Sequence, residues 1–132
     1  MPYEISFSKK LTLPTDEHYI NDCCVGGDLI LEQLLPQVKN AYANIASAQE
    51  DWGWFIWCNQ GKTHCAIEVC CEDVQTGHYL IHLHAHTTQT RWLLFTRRTE
   101  DRTSLDKLHT LVINTLASTL DLPPLSRYTR EL

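Results

Sequence analysis

Two alternating runs, Thr63–Glu72 and His78–Thr87, constrain this chain more than any other part of it. They are joined by Asp73-Val74-Gln75-Thr76-Gly77, a Gly-containing connection of hairpin length. Successive side chains on a strand point to opposite faces, so residues two apart share one. In the first run Cys65, Ile67, Val69 and Cys71 then oppose His64, Ala66, Glu68 and Cys70. In the second, Tyr79, Ile81, Leu83 and Ala85 oppose Leu80, His82, His84 and His86. Pairing Glu72 with His78 sets Cys70 across from Leu80, Glu68 from His82, Ala66 from His84 and His64 from His86. This register is an assumption: a two-residue shift would keep the faces but change the partners, whereas a one-residue slip would mix the faces, because the period is two. On this register one face is apolar and the other carries four histidines and a carboxylate.

The remaining strand signals lie on either side of this hairpin. Tyr3, Ile5 and Phe7 alternate with Glu4, Ser6 and Ser8, which predicts a short half-buried strand closed by Lys9-Lys10. The aromatic run Trp52–Cys58 predicts a central strand, with Asn59–Lys62 as the turn into the first histidine run. Thr88-Gln89-Thr90 is expected to turn again into a strand over residues 92–96, starting at Trp92. These strands follow one another closely, as in an antiparallel meander.

Two helices are expected. Leu31, Leu34, Leu35, Val38, Tyr42 and Ile45 follow the three-and-four spacing of a buried stripe, with Asp28 as N-cap and Pro36 bending the helix. Leu105, Leu108, Val112, Leu116 and Leu120 make a second stripe, opened by a capping-box-like Thr103 and Asp106. Residues 11–27 read as a long loop with a turn at Pro14-Thr15-Asp16, Ser47–Asp51 as a polar connection, and 122–132 as an extended tail. The expected fold is thus a single α+β domain over residues 1–132. It is a two-layer sandwich in which two helices cover the Ile67, Val69, Ile81 and Leu83 face of a four- to five-stranded antiparallel sheet.

Composition excludes some functions. A net charge of −5 argues against nucleic acid, whose phosphates need clustered Lys and Arg. Glu100 and Asp101 interrupt the group Arg91, Arg97, Arg98 and Arg102. No apolar segment approaches the ~20 residues of a membrane span, and the N-terminus lacks the pattern of a signal peptide. The six cysteines, with no Cys-x-x-Cys spacing, are then expected as thiols in the cytoplasm.

The histidine face is where chemistry could reside. The favoured expectation is a non-enzymatic binding domain, of adaptor or inhibitor type, that holds a protein partner or a second copy. Its surface would use Trp54 or Trp57 with His64, Glu68, His82, His84 and His86. Trp54 and Ile56 share one face of their strand and Phe55 and Trp57 the other, so one aromatic pair must join the histidines, where aromatics favour an interface. No cofactor is needed for this role. The alternative is a small metal-dependent enzyme of hydrolase type. Two histidines separated by one residue on a strand, His82 with His84 or His84 with His86, could reach one zinc or other divalent ion, with His64 or Glu68 as third ligand. Weaker readings are a thiol nucleophile at Cys70 beside Glu68 and His82, and a pH switch at His64 opposite His86.

Overall fold

The structure is a computed structural model and describes residues 1–14, 18–91 and 95–132. In chain order it runs β1 (Tyr3–Ser8), α1 (Gly27–Ala41), β2 (Ala43–Glu50), β3 (Gly53–Gln60), β4 (Thr63–Asp73), β5 (His78–Arg91), β6 (Phe95–Glu100), α2 (Arg102–Thr119) and β7 (Thr129–Glu131). One-turn 3-10 helices at Asp22–Cys24 and Leu125–Tyr128 punctuate the loop and the tail. The α+β class with an antiparallel sheet is as expected, but the described sheet has seven strands rather than four or five.

The strand order is β2-β3-β4-β5-β1-β7, with β6 also on β5. Strand β5 spans fourteen residues and shares one long side between two partners. Its first half, His78–Leu83, pairs with β1, and its second half, His86–Arg91, pairs with β6. Between them the Asp101 N–H donates to the Ala85 carbonyl at 3.0 Å, so the seam is not left bare. Thr88-Gln89-Thr90 therefore continues a strand instead of turning. The start of the expected strand, Trp92–Leu94, and the Thr15-Asp16 part of the expected first turn lie outside the described residues.

The central hairpin has the expected register from Cys70–Leu80 through Glu68–His82 and Ala66–His84 to His64–His86. A bulge between Cys71 and Asp73 absorbs one residue next to the turn, so His78 faces Asp73 rather than Glu72. Parity is thus preserved across the whole hairpin. Ile67, Val69, Ile81 and Leu83 are fully buried, and with them Ile5 from β1 and Ile56 from β3. The helices close this face with Ile30, Leu34 and Val38 from α1 and Leu105, Leu108, Val112 and Leu116 from α2.

Several local expectations change. The N-cap of α1 is Gly26, in the left-handed conformation at φ 80, and not Asp28. Asp28 sits in the first turn, where its carboxylate accepts from Tyr19 Oη at 2.8 Å and pairs with His18 Nε2 at 3.0 Å, fixing the end of the long loop. Helix α1 continues through Pro36 but stops at Ala41, so Ile45 belongs to β2. The N-cap of α2 is Asp101 rather than the Thr103–Asp106 pair. Its carboxylate accepts from Ser104 N at 3.1 Å and from the hydroxyls of Ser104 and Thr63 at 2.9 and 2.6 Å, which ties the helix to the start of β4. The tail is not simply extended: Leu125 is buried, and β7 adds to β1 at Tyr3–Ile5.

Candidate functional site

The described residues of α1 and α2 that enter the core lie on one side of the sheet; the histidines lie on the other. The floor of the histidine side is set by the same parity: Phe55, Trp57 and Asn59 on β3, His64, Ala66 and Glu68 on β4, and His82, His84 and His86 on β5. Cross-strand partners extend it to Glu4 on β1 and to Arg98 and Glu100 on β6.

Trp57 stands opposite Ala66, so it belongs to the histidine face, while Trp54 stands opposite Val69 and faces the helices. Trp54 donates its indole N–H to the Cys24 carbonyl at 2.7 Å and is spent on holding the loop; it is not part of the exposed surface. Trp57 is 53% exposed. Its ring stacks on Phe55 at 4.3 Å between centroids and 27° between planes, which buries Phe55 on the histidine side of the sheet. The small neighbours Ala46 on β2 and Ala66 on β4 leave room beside the indole. A cleft of about 620 Å³ opens there, lined by Trp57, Asn44 and Asn59 together with His64, Glu68, His84, His86 and Arg98.

Each imidazole has its own partner. His82 donates from Nε2 to Glu4 Oε2 at 2.7 Å, and Arg130 donates to the other oxygen of Glu4, also at 2.7 Å. His84 Nε2 pairs with Glu68 Oε1 at 3.1 Å, diagonally across the β4–β5 ladder. His64 Nδ1 donates to Asn59 Oδ1 at 2.7 Å. Arg98 Nη2 donates to His86 Nδ1 at 3.1 Å, which leaves the proton of a neutral His86 on Nε2. The rings of His64 and His86 lie 5.6 Å apart. Partners that sequence reasoning missed are Glu4, Asn59 and Arg98; the alternation Glu4-Ser6 against Ile5-Phe7 was the signal available for the first.

This division of partners does not suit a metal. Among the described residues no three His, Cys, Asp or Glu side chains come together to hold an ion. His82 leans to β1 and His84 to β4, so the proposed set His82, His84, His64 and Glu68 does not converge on one point. Cys70 shares the face, but burial and then the neighbouring Cys23 thiol push its pKa up to about 12, so it is a thiol at neutral pH and not an activated nucleophile. The described cysteines are all unbridged. No described helix is long and apolar enough to cross a membrane.

Electrostatics give the site a pH dependence. Burial, then the charge of Arg98 and the imidazoles of His64 and His84, hold His86 below the ordinary imidazole value of 6.5. His109, stacked on Tyr3 at 4.4 Å, is likewise lowered, first by burial. Both groups bind protons more readily in the unfolded chain, so stability is full above 6.5 and falls as the pH drops below it. The hydrogen bonds from His82 and His84 hold Glu4 and Glu68 below the usual carboxylate value of 4.5, which adds a second loss in more acid solution. The urea midpoint should therefore drop between about pH 7.5 and about pH 5.5, and the double substitution His86→Gln, His109→Gln should flatten that drop. A midpoint that rises on acidification, or a drop indifferent to both substitutions, would contradict the assignment.

No family model, curated protein or solved structure matches this chain.

Proposed function

We propose that this chain is a non-enzymatic binding domain, of adaptor or inhibitor type, whose histidine-bearing sheet face holds a partner protein. The observation that carries the reading is Trp57: a half-exposed indole, braced by Phe55, on the wall of the cleft. A rigid aromatic beside a concavity supplies large contact area at little entropic cost, and tryptophan and arginine dominate interface energetics. The cleft also selects the chemistry of the guest. Among the described residues the carboxylate in its lining is Glu68, already paired with His84, whereas Arg98 and the side-chain amides of Asn44 and Asn59 line the same walls. A partner segment with an apolar or aromatic group for Trp57 and an adjacent carboxylate for Arg98 fits this lining. The cytoplasm is the compartment proposed, because six unpaired thiols stay reduced there.

The test is binding by the immobilised chain against two variants, Trp57→Ser in the cleft and Thr110→Ser on the exposed side of α2. Loss of the indole should weaken partner binding by about 30-fold or more, as for a central hot spot, without shifting the unfolding midpoint by more than a few tenths of a molar. Binding that survives Trp57→Ser, or that is lost with Thr110→Ser instead, would remove the surface from consideration.

A further inference from the structure

The sheet ends differently on its two sides. One end is blunted: β7 has three residues, two of them charged, and β6 carries Arg97, Arg98 and Glu100. Short length and charge are the usual means by which an edge strand avoids pairing with another chain. The other end is β2, eight residues long, which pairs only with β3 among the described strands. From Ala43 to Gln49 it has no charge and no proline, and every residue except Ile45 and Gln49 is exposed. Its one irregularity, a bulge between Ala43 and Ala46, leaves Ala46–Glu50 in regular register.

The charges around β2 say what can lie beside it. Glu50 and Asp51 stand at its C-terminal end. At its N-terminal end lie Lys39, in the last turn of α1, and Lys62, in the turn that follows β3, whose Asn59 is the partner of Ala43. All four side chains are exposed. A second copy turned by a two-fold axis and laid antiparallel brings the acidic end of each β2 to the basic end of the other. Its centre then contains only Ala46, Ser47 and Ala48 from both strands, with no like charges opposed. A parallel arrangement would set Glu50 against Glu50 and Lys against Lys.

We propose that β2 is a self-pairing edge, and that two copies of this chain join there into one continuous antiparallel sheet. Such an interface is isologous, since the same strand serves both partners. It differs from the cleft surface and does not depend on its having a guest, although Asn44 and Ala46 border both, so the dimer would set two clefts side by side.

Sedimentation equilibrium tests this with variants that leave the cleft alone. Ser47 pairs with Ile56 and so points to the helix side of the sheet, away from Trp57. The wild-type chain should sediment at twice 15.2 kDa. Ser47→Lys, which opposes two cations at the strand centre, should give the single-chain mass with an unchanged circular dichroism spectrum. Glu50→Lys and Lys62→Glu should each weaken the dimer by about tenfold, because a two-fold axis repeats every repulsion. Combining the two reversals should recover most of that loss. A wild-type chain that is monomeric at every concentration up to its solubility limit overturns the proposal. So does a dimer that survives Ser47→Lys, or one indifferent to both single reversals should Ser47→Lys fail to fold.

Discussion

Ile81→Ala is expected to lower the stability of this chain by about 2–5 kcal/mol, in the upper half of that range. Ile81 has no exposed surface and sits near the middle of the sheet, with Val69 on one side and Ile5 on the other. Three strands and the helix layer therefore meet around one side chain, and none can close the void without breaking its own ladder. The cost combines the lost transfer of the side chain with the cavity left behind. Against a total of about 5–15 kcal/mol for a typical domain, this is a large share. Urea unfolding would show a lower midpoint at an unchanged slope. A loss below about 1 kcal/mol would mean that Ile81 is not at the centre of the core, and the assignment of faces would fail with it.

Gly53→Ala should be nearly as damaging, for a different reason. Gly53 adopts φ 145, a conformation that L side chains rarely take, and a Cβ there would lie 2.1 Å from the Val69 carbonyl oxygen and 3.1 Å from its carbon. The obstacle is backbone of the adjacent strand, fixed by the Trp54–Val69 pairing, so it cannot swing aside as a side chain would. Backbone strain and enforced overpacking together predict a cost of at least ~3 kcal/mol. Gly61→Ala is the matched control. It also has positive φ, at 61, but nothing lies within 4 Å of the added methyl, so only the ~1 kcal/mol of a left-handed residue is expected. Thermal melts of the two variants should differ widely; equal melting temperatures would show that β3 and β4 do not approach as described.

What could be read from the chain itself follows from where period and burial coincide. Over His64–Cys71 and Tyr79–His86 the alternation is strict because helices cover one face, so the facing was legible; the register was an assumption, which holds from Cys70–Leu80 to His64–His86 and is displaced at Glu72 by the bulge. Strand β2 escaped notice for the converse reason: Ala46, Ser47 and Ala48 are exposed on both faces, and no burial imprints an alternation on them. Helix stripes were visible through Leu31, Leu34 and Val38, but the caps were not. Gly26 caps through a left-handed backbone conformation, which a spacing rule does not contain, and Asp101 caps by accepting from Ser104 N, two positions ahead of the expected Thr103.

At the site, the choice of Trp57 over Trp54 needed the β3–β4 register, since the run itself is aromatic on both faces. The expectation that three histidines share a surface was met, yet their convergence was not. His82, His84 and His86 lie two residues apart, but Glu4, Glu68 and Arg98 draw them in different directions. Arg98 reached the cleft only because β5 runs on past Thr88, where a turn was expected.

Both the outward facing of Trp57 and the occupation of that face by a bound partner are open to direct measurement. Oxidative footprinting of the indoles, with and without bound partner, measures both at once. Trp57 should be modified readily in the free chain and protected in the complex, while Trp54, hydrogen-bonded beneath the helices, should react slowly in both. Rapid modification of Trp54, or a Trp57 that reacts equally fast with partner bound, would contradict the proposed binding face.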